Sequence, residues 1–226
     1  ATLRKMADSG VDLVVMEVSS SALDQYRVYG IDFTVAAFTN LTIDHLDYHK
    51  TFENYRDAKK KLFYSCKHAV INKDDASADE MMRGIPCDCI TVGISKEADI
   101  MATDIEITSN GVRYVIHTPA GTENMMVPIP GLFTIQNSMI ATGIALKLGY
   151  DLKGICSAMK NVLSIAGRLE PLPTNGRPFN VYLDFAHTPD ALQNVLSTVG
   201  QFAKGRVISL FGCGGDKDTT KRAMMG

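Results

Sequence analysis

The chain has 226 residues, enough for one large or two small domains, and its 46% hydrophobic and 21% charged residues are typical of a soluble globular protein. A formal net charge of −2 gives no electrostatic reason to expect nucleic acid or an anionic membrane as a partner, and no apolar run reaches the roughly 18 residues of a membrane span. Five scattered cysteines and a charged N-terminus without a signal peptide favour free thiols and a cytoplasmic protein, which we interpret as a fragment of a longer one.

Strand and helix patterns alternate through the first hundred residues. Apolar runs predict strands at 11–16, 34–39, 68–72 and 89–93, and helices are predicted near 20–27, 51–66 and 75–83. This alternation implies βαβ units and a mainly parallel sheet flanked by helices. Such sheets bind ligands in the loops beyond the carboxyl ends of their strands, which is where Glu17 and Asn40 are expected.

The pattern changes between residues 99 and 129, where apolar residues alternate. Asn110-Gly111 between two alternating stretches predicts a β-hairpin, and a second turn is predicted at 119–121. We expect this region to form an antiparallel edge of the same sheet. Two helices follow, at 134–148 and 152–162.

A loop-rich stretch from Ser164 to Pro178 predicts a domain boundary. We therefore divide the chain into a central domain, residues 1–165, and the start of a Rossmann-like α/β domain, residues 166–226. The predicted elements of this second domain are a strand at 180–185, a helix at 189–202, a strand at 206–211 and a glycine-rich loop at 212–216. The loop fits neither common nucleotide-binding glycine pattern, so it is a weak motif.

Lys59 is unusual because it lies on the apolar side of its predicted helix. The apolar side is defined by residues at three- and four-residue spacing, namely Phe52, Tyr55, Leu62, Phe63 and Cys66. Its neighbours Lys60 and Lys61 are expected to face solvent. Burial disfavours a charged amine, and lysines held neutral in this way are often functional. The alternative is a buried aliphatic stem whose ammonium group reaches water.

The segment from Glu17 to Ser21 combines an acid with three hydroxyl side chains after a predicted strand. Such oxygens suit Mg²⁺ and phosphate. They equally suit a helix N-cap, with Ser20 or Ser21 capping a helix that begins at Ala22.

A second polar segment has the composition of a metal site. Its ligand-type residues are Asp44, His45, Asp47 and His49. A loop histidine is otherwise most often a surface residue.

Two further groups lie outside these segments. Asp184 lies at the end of a predicted strand and His187 just after it, before Pro189, a favoured first residue of a helix. Both therefore lie where a ligand would meet the second domain. Cys87 and Cys89 have no second pair at zinc spacing and are interpreted as strand residues.

Together these segments resemble the Mur ligase family, and within it the type that adds a diamino acid. The matching residues run in family order along the chain: Glu17-Val-Ser-Ser20 with Ala22-Leu23, Phe38 to His49, Ala58-Lys59 with Leu62-Phe63, Pro130-Gly131 with Phe133 and Asn137, Gly167-Arg168-Leu-Glu170, Asp184 to Leu192, and Phe211 to Asp216 with Lys221-Arg222. No single one of these motifs is as specific as the series.

The resemblance implies an ATP- and Mg²⁺-dependent amide ligase of peptidoglycan synthesis. Such an enzyme phosphorylates the D-Glu carboxylate of a UDP-N-acetylmuramoyl dipeptide, and the amine of a diamino acid then displaces phosphate. It also implies small-molecule substrates, no nucleic-acid or membrane partner, and a monomer. Two alternatives remain open: a folylpolyglutamate synthetase-like ligase on the same fold, and a non-catalytic Mur-like binding or regulatory domain.

The resemblance also assigns roles to residues. Glu17 and His45 would hold Mg²⁺, and Lys59 would be the family's carbamylated lysine, whose carboxylate orients a second Mg²⁺. The residues expected to contact the nucleotide are Asn137 at the adenine, and Arg168 and Asp184 at the phosphates and ribose, with His187 nearby. The residues expected to bind substrates are Ser19, Ser20, Thr39, Asn40 and Lys217.

The chain departs from the family pattern at Ser21, Thr134 and Lys217, where His, Asn and Arg are usual. Lysine lacks the bidentate fork of arginine, so the recognition of the incoming amino acid is affected. The uridine-binding domain, the phosphate loop and the later specificity segment of the family are not found in the sequence. The chain alone is therefore expected not to ligate.

Overall fold

The computed structural model describes residues 2–42, 46–213 and 221–226, without the side chains of Asp47 and Lys221. The strands are β1 (Phe33–Phe38), β2 (Cys66–Asn72), β3 (Asp88–Gly93), β4 (Ile100–Thr108), β5 (Gly111–Thr118), β6 (Gly121–Val127), β7 (Glu170–Leu172) and β8 (Val181–Leu183). The helices are α1 (Thr2–Asp8), α2 (Ser20–Asp24), α3 (Leu46–His49), α4 (Phe52–Lys60), α5 (Ala78–Met82), α6 (Leu132–Lys147), α7 (Leu152–Met159), α8 (Pro189–Phe202) and α9 (Lys221–Met225), with a 3₁₀ turn at Lys61–Tyr64 after α4.

The main sheet has six strands in chain order, β1 to β6. The first four pair in parallel and the last two join them in antiparallel fashion, which confirms the predicted mixed sheet with an antiparallel edge. The hairpin between β4 and β5 turns at the predicted Asn110-Gly111. Gly111 has φ +136°, and a Cβ there would lie 2.2 Å from the Val127 carbonyl oxygen, so only glycine fits.

Helix α6 covers one face of the sheet and contacts all six strands. Its fully buried Ile135 and Met139 pack with Val70, Val92 and Ile116 from the strands. A side chain at Gly143 would lie 2.9 Å from Val70 Cγ1, so glycine at this position allows the helix to approach the sheet closely. This core holds the sheet rigid beneath the loops at its carboxyl edge.

A second core lies on the opposite face of the sheet, under α4 and α5. Its main members are Phe38, Tyr55, Phe63, Ile71 and Met81. The helix that carries Lys59 therefore packs beside the end of β1. In the part of the chain that the structure describes, no helix is long and apolar enough to cross a membrane.

Two predicted strands are wrong. Residues 11–16 and 206–211 are irregular, and their apolar side chains are exposed, Val15 at 86% and Leu210 at 99%. An apolar run indicates a tendency to burial, but a strand also needs a neighbour for its backbone hydrogen bonds. No described strand pairs with either segment.

The second unit differs from the predicted parallel βαβ arrangement, because β7 and β8 form a two-stranded antiparallel sheet. Helix α8 begins as predicted: Thr188 caps it, accepting a hydrogen bond from the Ala191 N–H, and Pro189 occupies the first turn. Thr198 of this helix is buried against Gly131, which connects the second unit to the loop before α6.

Lys60 is not the solvated lysine that the sequence predicts. Its Nζ donates hydrogen bonds to the carbonyl oxygens of Glu80 and Arg83, at 2.6 and 2.5 Å, at the end of α5. Helix termini leave carbonyl groups without partners, and a lysine amine satisfies them. Lys61, by contrast, is exposed and pairs with Asp24 at 2.8 Å.

Replacing Lys60 by methionine is therefore expected to lower the free energy of unfolding by about 2 kcal/mol, since two carbonyl acceptors lose a charged donor. Urea denaturation checks this. Lys61→Met is the matched control, and its exposed ion pair should leave the unfolding midpoint unchanged. Equal midpoints for both variants would contradict the bonding of Lys60.

All five cysteines are free thiols, as predicted. Burial raises the pKa of Cys66 to about 12 and that of Cys89 to about 11, and the neighbouring Cys87 thiol adds to the shift of Cys66. Because their folded-state pKa values are raised, these thiols favour the fold below their unfolded pKa. That contribution is lost as the pH rises through the alkaline range.

Alkylation with iodoacetamide at pH 8 tests these thiols. Since the thiolate is the reactive form, Cys66 and Cys89 should react roughly a hundredfold more slowly in the folded protein than in urea. Peptide mass spectrometry gives both rates. Rapid labelling of the folded protein at these two positions would contradict the burial.

Candidate functional site

A small cavity of about 50 Å³ lies at the carboxyl end of β1. Its lining includes Val18, Thr39, Asn40, Lys59 and Phe63. Three predicted site residues, Thr39, Asn40 and Lys59, thus share one cavity. This is the edge of the sheet at which parallel strands usually present ligand-binding loops.

Lys59 reaches the cavity from α4. Thr51 caps this helix by accepting a hydrogen bond from the Asn54 N–H at 3.1 Å, and Tyr55 and Ala58 bury its inner side. Lys59 is half-buried, with its Nζ 5.5 Å from the centroid of the Tyr55 ring. An ammonium group over an aromatic face is stabilised electrostatically, so the ring helps to fix the direction of the lysine.

The loop after β1 is held by side chains from the next strand and its loop. Asn72 Nδ2 donates to the Thr39 carbonyl oxygen at 2.7 Å, and Asp75 accepts from the Leu41 N–H at 2.8 Å. The backbone of this loop is thereby fixed. The side chains of Thr39 and Asn40 remain exposed at the mouth of the cavity.

The Glu17–Ser20 turn contributes Val18 to the lining of the cavity. Ser19 is the N-cap of α2 and accepts from the Ala22 N–H at 3.1 Å, so the predicted cap by Ser20 or Ser21 is wrong by one or two residues. Ser20 is buried at 2% exposure and lies 2.9 Å from His49 Nε2. Glu17 is exposed beside Val18.

Some predicted residues lie outside the described ranges. These are His45 and Lys217, together with Asp44. Within the described ranges, no three His, Cys, Asp or Glu side chains form a group that could hold a metal ion. His49, which the sequence placed among ligand-type residues, instead packs in the protein interior at 7% exposure.

A second group forms around the start of the second unit. Both carboxylate oxygens of Asp184 accept backbone hydrogen bonds, from Leu169 at 2.7 Å and Ala186 at 2.8 Å. Arg168 lies with its guanidinium 5.7 Å from the Phe185 ring, and the His187 ring is 5.0 Å from the same ring.

The structure therefore brings the predicted Arg168, Asp184 and His187 together. Phe185 is a residue of this group that motif and spacing do not predict, and its place between Asp184 and His187 is the one signal in the sequence. Asn137 is exposed on α6, away from the buried side of that helix.

A larger cavity of about 400 Å³ lies on the antiparallel part of the sheet. Its polar lining includes Asp104, Arg113, Asn124 and Lys160, and none of the predicted site residues lines it. Size alone does not make it the better candidate, because the small cavity is the one in which several independent sequence signals meet.

Residues 1–145 match the family model of the Mur ligase middle domain, and residues 167–226 match that of the Mur ligase glutamate ligase domain. The chain belongs to the Mur ligase family. This confirms the family predicted from the motif series. In a Mur ligase, the cavity at β1 thus lies in the middle domain and the Arg168 group in the glutamate ligase domain.

This Mur ligase chain is similar to a curated bacterial ligase. It is 45% identical over 233 residues, 99% of the chain, to the UDP-N-acetylmuramoyl-L-alanyl-D-glutamate–2,6-diaminopimelate ligase of Bacillus cereus. A solved structure of a ligase with the same name superposes with a TM-score of 0.80 at 33% identity, over 99% of the chain and 47% of that structure. The chain spans about half the length of the curated relatives it matches, 47% for the Bacillus cereus protein.

The folylpolyglutamate synthase of Mycobacterium tuberculosis is a more distant neighbour of this Mur ligase. It has a TM-score of 0.64 at 18% identity, over 76% of the chain and 40% of that structure. At this identity the likeness shows a shared fold alone. It does not favour the folylpolyglutamate alternative.

Proposed function

We propose that the chain is part of an ATP-dependent amide ligase that adds 2,6-diaminopimelate to UDP-N-acetylmuramoyl-L-alanyl-D-glutamate. The observation that carries this proposal is the 45% identity to the Bacillus cereus ligase over 99% of the chain. The relative's name supplies the amino acid, which the sequence motifs alone left open between diaminopimelate and L-lysine.

The small cavity is the proposed reaction site. Thr39 and Asn40, which line this cavity, offer hydroxyl and amide oxygens, and Glu17, next to the lining residue Val18, offers a carboxylate. Oxygens of these kinds are the donors that Mg²⁺ prefers, so these residues fit the ion. Mg²⁺ and ATP would supply charge neutralisation and the phosphoryl group. The exposed Thr39 and Asn40 would orient the D-Glu carboxylate while its oxygen bonds to the γ-phosphorus and the bond to ADP breaks.

The second half of the reaction forms the amide bond. The amine nitrogen of the diamino acid bonds to the acyl carbon, the carbon–oxygen bond to phosphate breaks, and the amine loses a proton. Lys59 provides positive charge, or a carboxylate once carbamylated, beside this centre. We propose that Lys59 is carbamylated: its amine reaches a cavity that apolar residues such as Phe63 also line, and CO₂ would add to the neutral form of this amine with loss of one proton.

The metal would be held by Glu17, His45 and carbamylated Lys59. Lys59 lines the cavity, and Glu17 directly precedes Val18, which also lines it; this placement supports the set. We propose that Ser19, which is exposed, contacts the muramoyl peptide. Ser20 would support the turn through its bond to His49.

The nucleotide would lie between the two units. Asn137 is proposed to contact the adenine, and Arg168 the phosphates, with His187 nearby. Asp184 has a double role in this proposal: it holds the Arg168 loop through Leu169, and the second lone pairs of its carboxylate oxygens accept from the ribose. Lys217 is proposed to meet the carboxylate of the incoming amino acid.

The division at residues 165 and 166 also stays a proposal. It is supported by the family models, which end at 145 and resume at 167. We further propose that the intact protein is a cytoplasmic monomer without membrane or nucleic-acid partners. Because the chain covers about half of its relatives, we expect no turnover from residues 1–226 alone.

Two departures from the family pattern have local explanations in the structure. Buried Thr134 donates a hydrogen bond to the Pro130 carbonyl oxygen at 3.1 Å, and Ser21 accepts one from Arg27 at 3.3 Å. Both residues therefore stabilise local structure. These two departures from the family pattern therefore give less support to the alternative of a non-catalytic domain.

The test is an assay of the intact protein with ATP, Mg²⁺, the UDP-muramoyl dipeptide and either meso-diaminopimelate or L-lysine. Mass spectrometry should detect the tripeptide product, with release of ADP, and diaminopimelate should be preferred. Preference for L-lysine would correct the substrate. No product with either amino acid would overturn the ligase proposal in favour of a non-catalytic role.

A further inference from the structure

His49, the last residue of α3, contacts both α2 and α4, the helices beside the small cavity. Its ring nitrogen Nε2 shares a hydrogen bond with Ser20 Oγ at the start of α2, at 2.9 Å. Its ring packs on Tyr55 of α4, with centroids 5.4 Å apart. Its backbone carbonyl oxygen accepts hydrogen bonds from Thr51 and Asn54, at 2.9 and 3.0 Å, in the first turn of α4.

These contacts connect two residues that line the cavity. Ser20 lies two residues after Val18, Tyr55 lies under Lys59, and both Val18 and Lys59 line the cavity. Both Ser20 and His49 are buried, so their hydrogen bond is shielded from water and its loss is not replaced by solvent.

Two solvent-exposed hydrogen bonds to Asp24 also connect these elements. Tyr48 donates to Asp24 at 3.0 Å, and Lys61 also donates to Asp24, at 2.8 Å. These groups are exposed and therefore contribute less to rigidity. We therefore expect the buried bond of His49 to restrain α2 and α4 more firmly than these exposed bonds to Asp24 do.

We infer that His49 is a positioning residue that sets the separation between the Glu17–Ser20 turn and Lys59. The inference rests on the proposed function, because it takes the cavity between them as the reaction site. His49 itself does not line the cavity, so it acts through Ser20 and Tyr55. Reacting groups displaced by about 1 Å lose much of their rate advantage, so such a residue affects kcat more than substrate binding.

Three variants of the intact protein test this. His49→Phe keeps a ring against Tyr55 and loses the bond to Ser20, Ser20→Ala loses the same bond from the other side, and His49→Gln can restore it. The matched control is His68→Gln on β2, a partly exposed histidine that pairs with Asp88 at 3.1 Å away from the cavity.

The first readout does not need catalysis. Acetic anhydride labels lysine amines, and peptide mass spectrometry gives the labelling ratio of Lys59 to Lys61. His49→Phe and Ser20→Ala should each change this ratio by about threefold, because the wall that carries Lys59 loosens. His68→Gln should leave the ratio unchanged.

The second readout is turnover. We expect His49→Phe and Ser20→Ala to lower kcat roughly tenfold or more, with KM for ATP nearly unchanged, and the double variant to be no worse than either single one. His49→Gln should recover most of the rate.

Labelling ratios and kcat values equal to those of His68→Gln would overturn the inference. If His49→Phe does not fold, Ser20→Ala, which removes one hydroxyl, decides the question. If the unsubstituted protein shows no ligation, the proposed function fails, and the labelling ratio still decides whether His49 positions Lys59.

Discussion

Replacing Lys59 by alanine in the intact protein is expected to lower kcat of ligation by roughly a thousandfold while the fold is retained. Lys59 projects a charged or modifiable amine into the cavity that it shares with Thr39 and Asn40. Groups aimed at developing charge in a cavity of this kind are worth a factor of about 10² to 10³ each, and a lysine that also organises a metal reaches the upper end. Steady-state ADP release measures the loss.

One further variant distinguishes the positive charge of Lys59 from its carbamylation, and a second variant is the control. Lys59→Arg keeps a positive charge but forms no carbamate under the same conditions, so it should be as inactive as Lys59→Ala if the modification matters. Lys61→Ala, on the same helical segment but exposed, should retain the rate of the unsubstituted protein. A Lys59→Ala protein with more than about a tenth of that rate would contradict the assignment.

Replacing Asp184 by alanine is expected to raise KM for ATP about tenfold and to reduce the stability of the second unit by about 2 kcal/mol. Asp184 accepts from the backbone N–H of Leu169, which is fully buried, and from that of Ala186. Without the carboxylate, a buried donor is left without its partner and the loop that carries Arg168 is released. Isothermal titration with ADP and thermal unfolding measure the two effects.

Asp184→Asn is the matched variant. The asparagine side chain has the same size but only one oxygen acceptor, so one of the two backbone bonds is kept and both effects should be intermediate. Nucleotide affinity unchanged in Asp184→Ala would show that the loop does not bind ATP. Unchanged thermal stability would show that the two hydrogen bonds of Asp184 do not stabilise the second unit.

Local patterns predicted most of the first 160 residues. The strands at 68–72 and 89–93, the Asn110-Gly111 hairpin and the helix around Lys59 follow from spacing and turn chemistry, which depend on neighbours in sequence. The failures at 11–16 and 206–211 have a different cause. Strand pairing is non-local, and an apolar run does not reveal whether a partner strand lies beside it.

The residues of the candidate site were likewise predictable where local sequence patterns mark them. Lys59 is identified by its helical spacing and Asn40 by its position after a predicted strand, so their meeting at one cavity follows from a parallel sheet. Thr39 belongs to that predicted strand and is assigned only by the family resemblance. His49 and Phe185 act through contacts with distant or stacked side chains, which spacing does not encode. The roles of His45 and Lys217 stay predictions, since both residues lie outside the described ranges.

The most direct measurement is a crystal structure of the intact protein with Mg²⁺, a non-hydrolysable ATP analogue, the UDP-muramoyl dipeptide and bicarbonate. The account predicts the dipeptide carboxylate and Mg²⁺ at the cavity of Thr39, Asn40 and Lys59, with density for a carbamate on Lys59. Substrate bound elsewhere, for example beside Arg113 and Lys160 in the larger cavity, with Lys59 facing empty solvent, would contradict it.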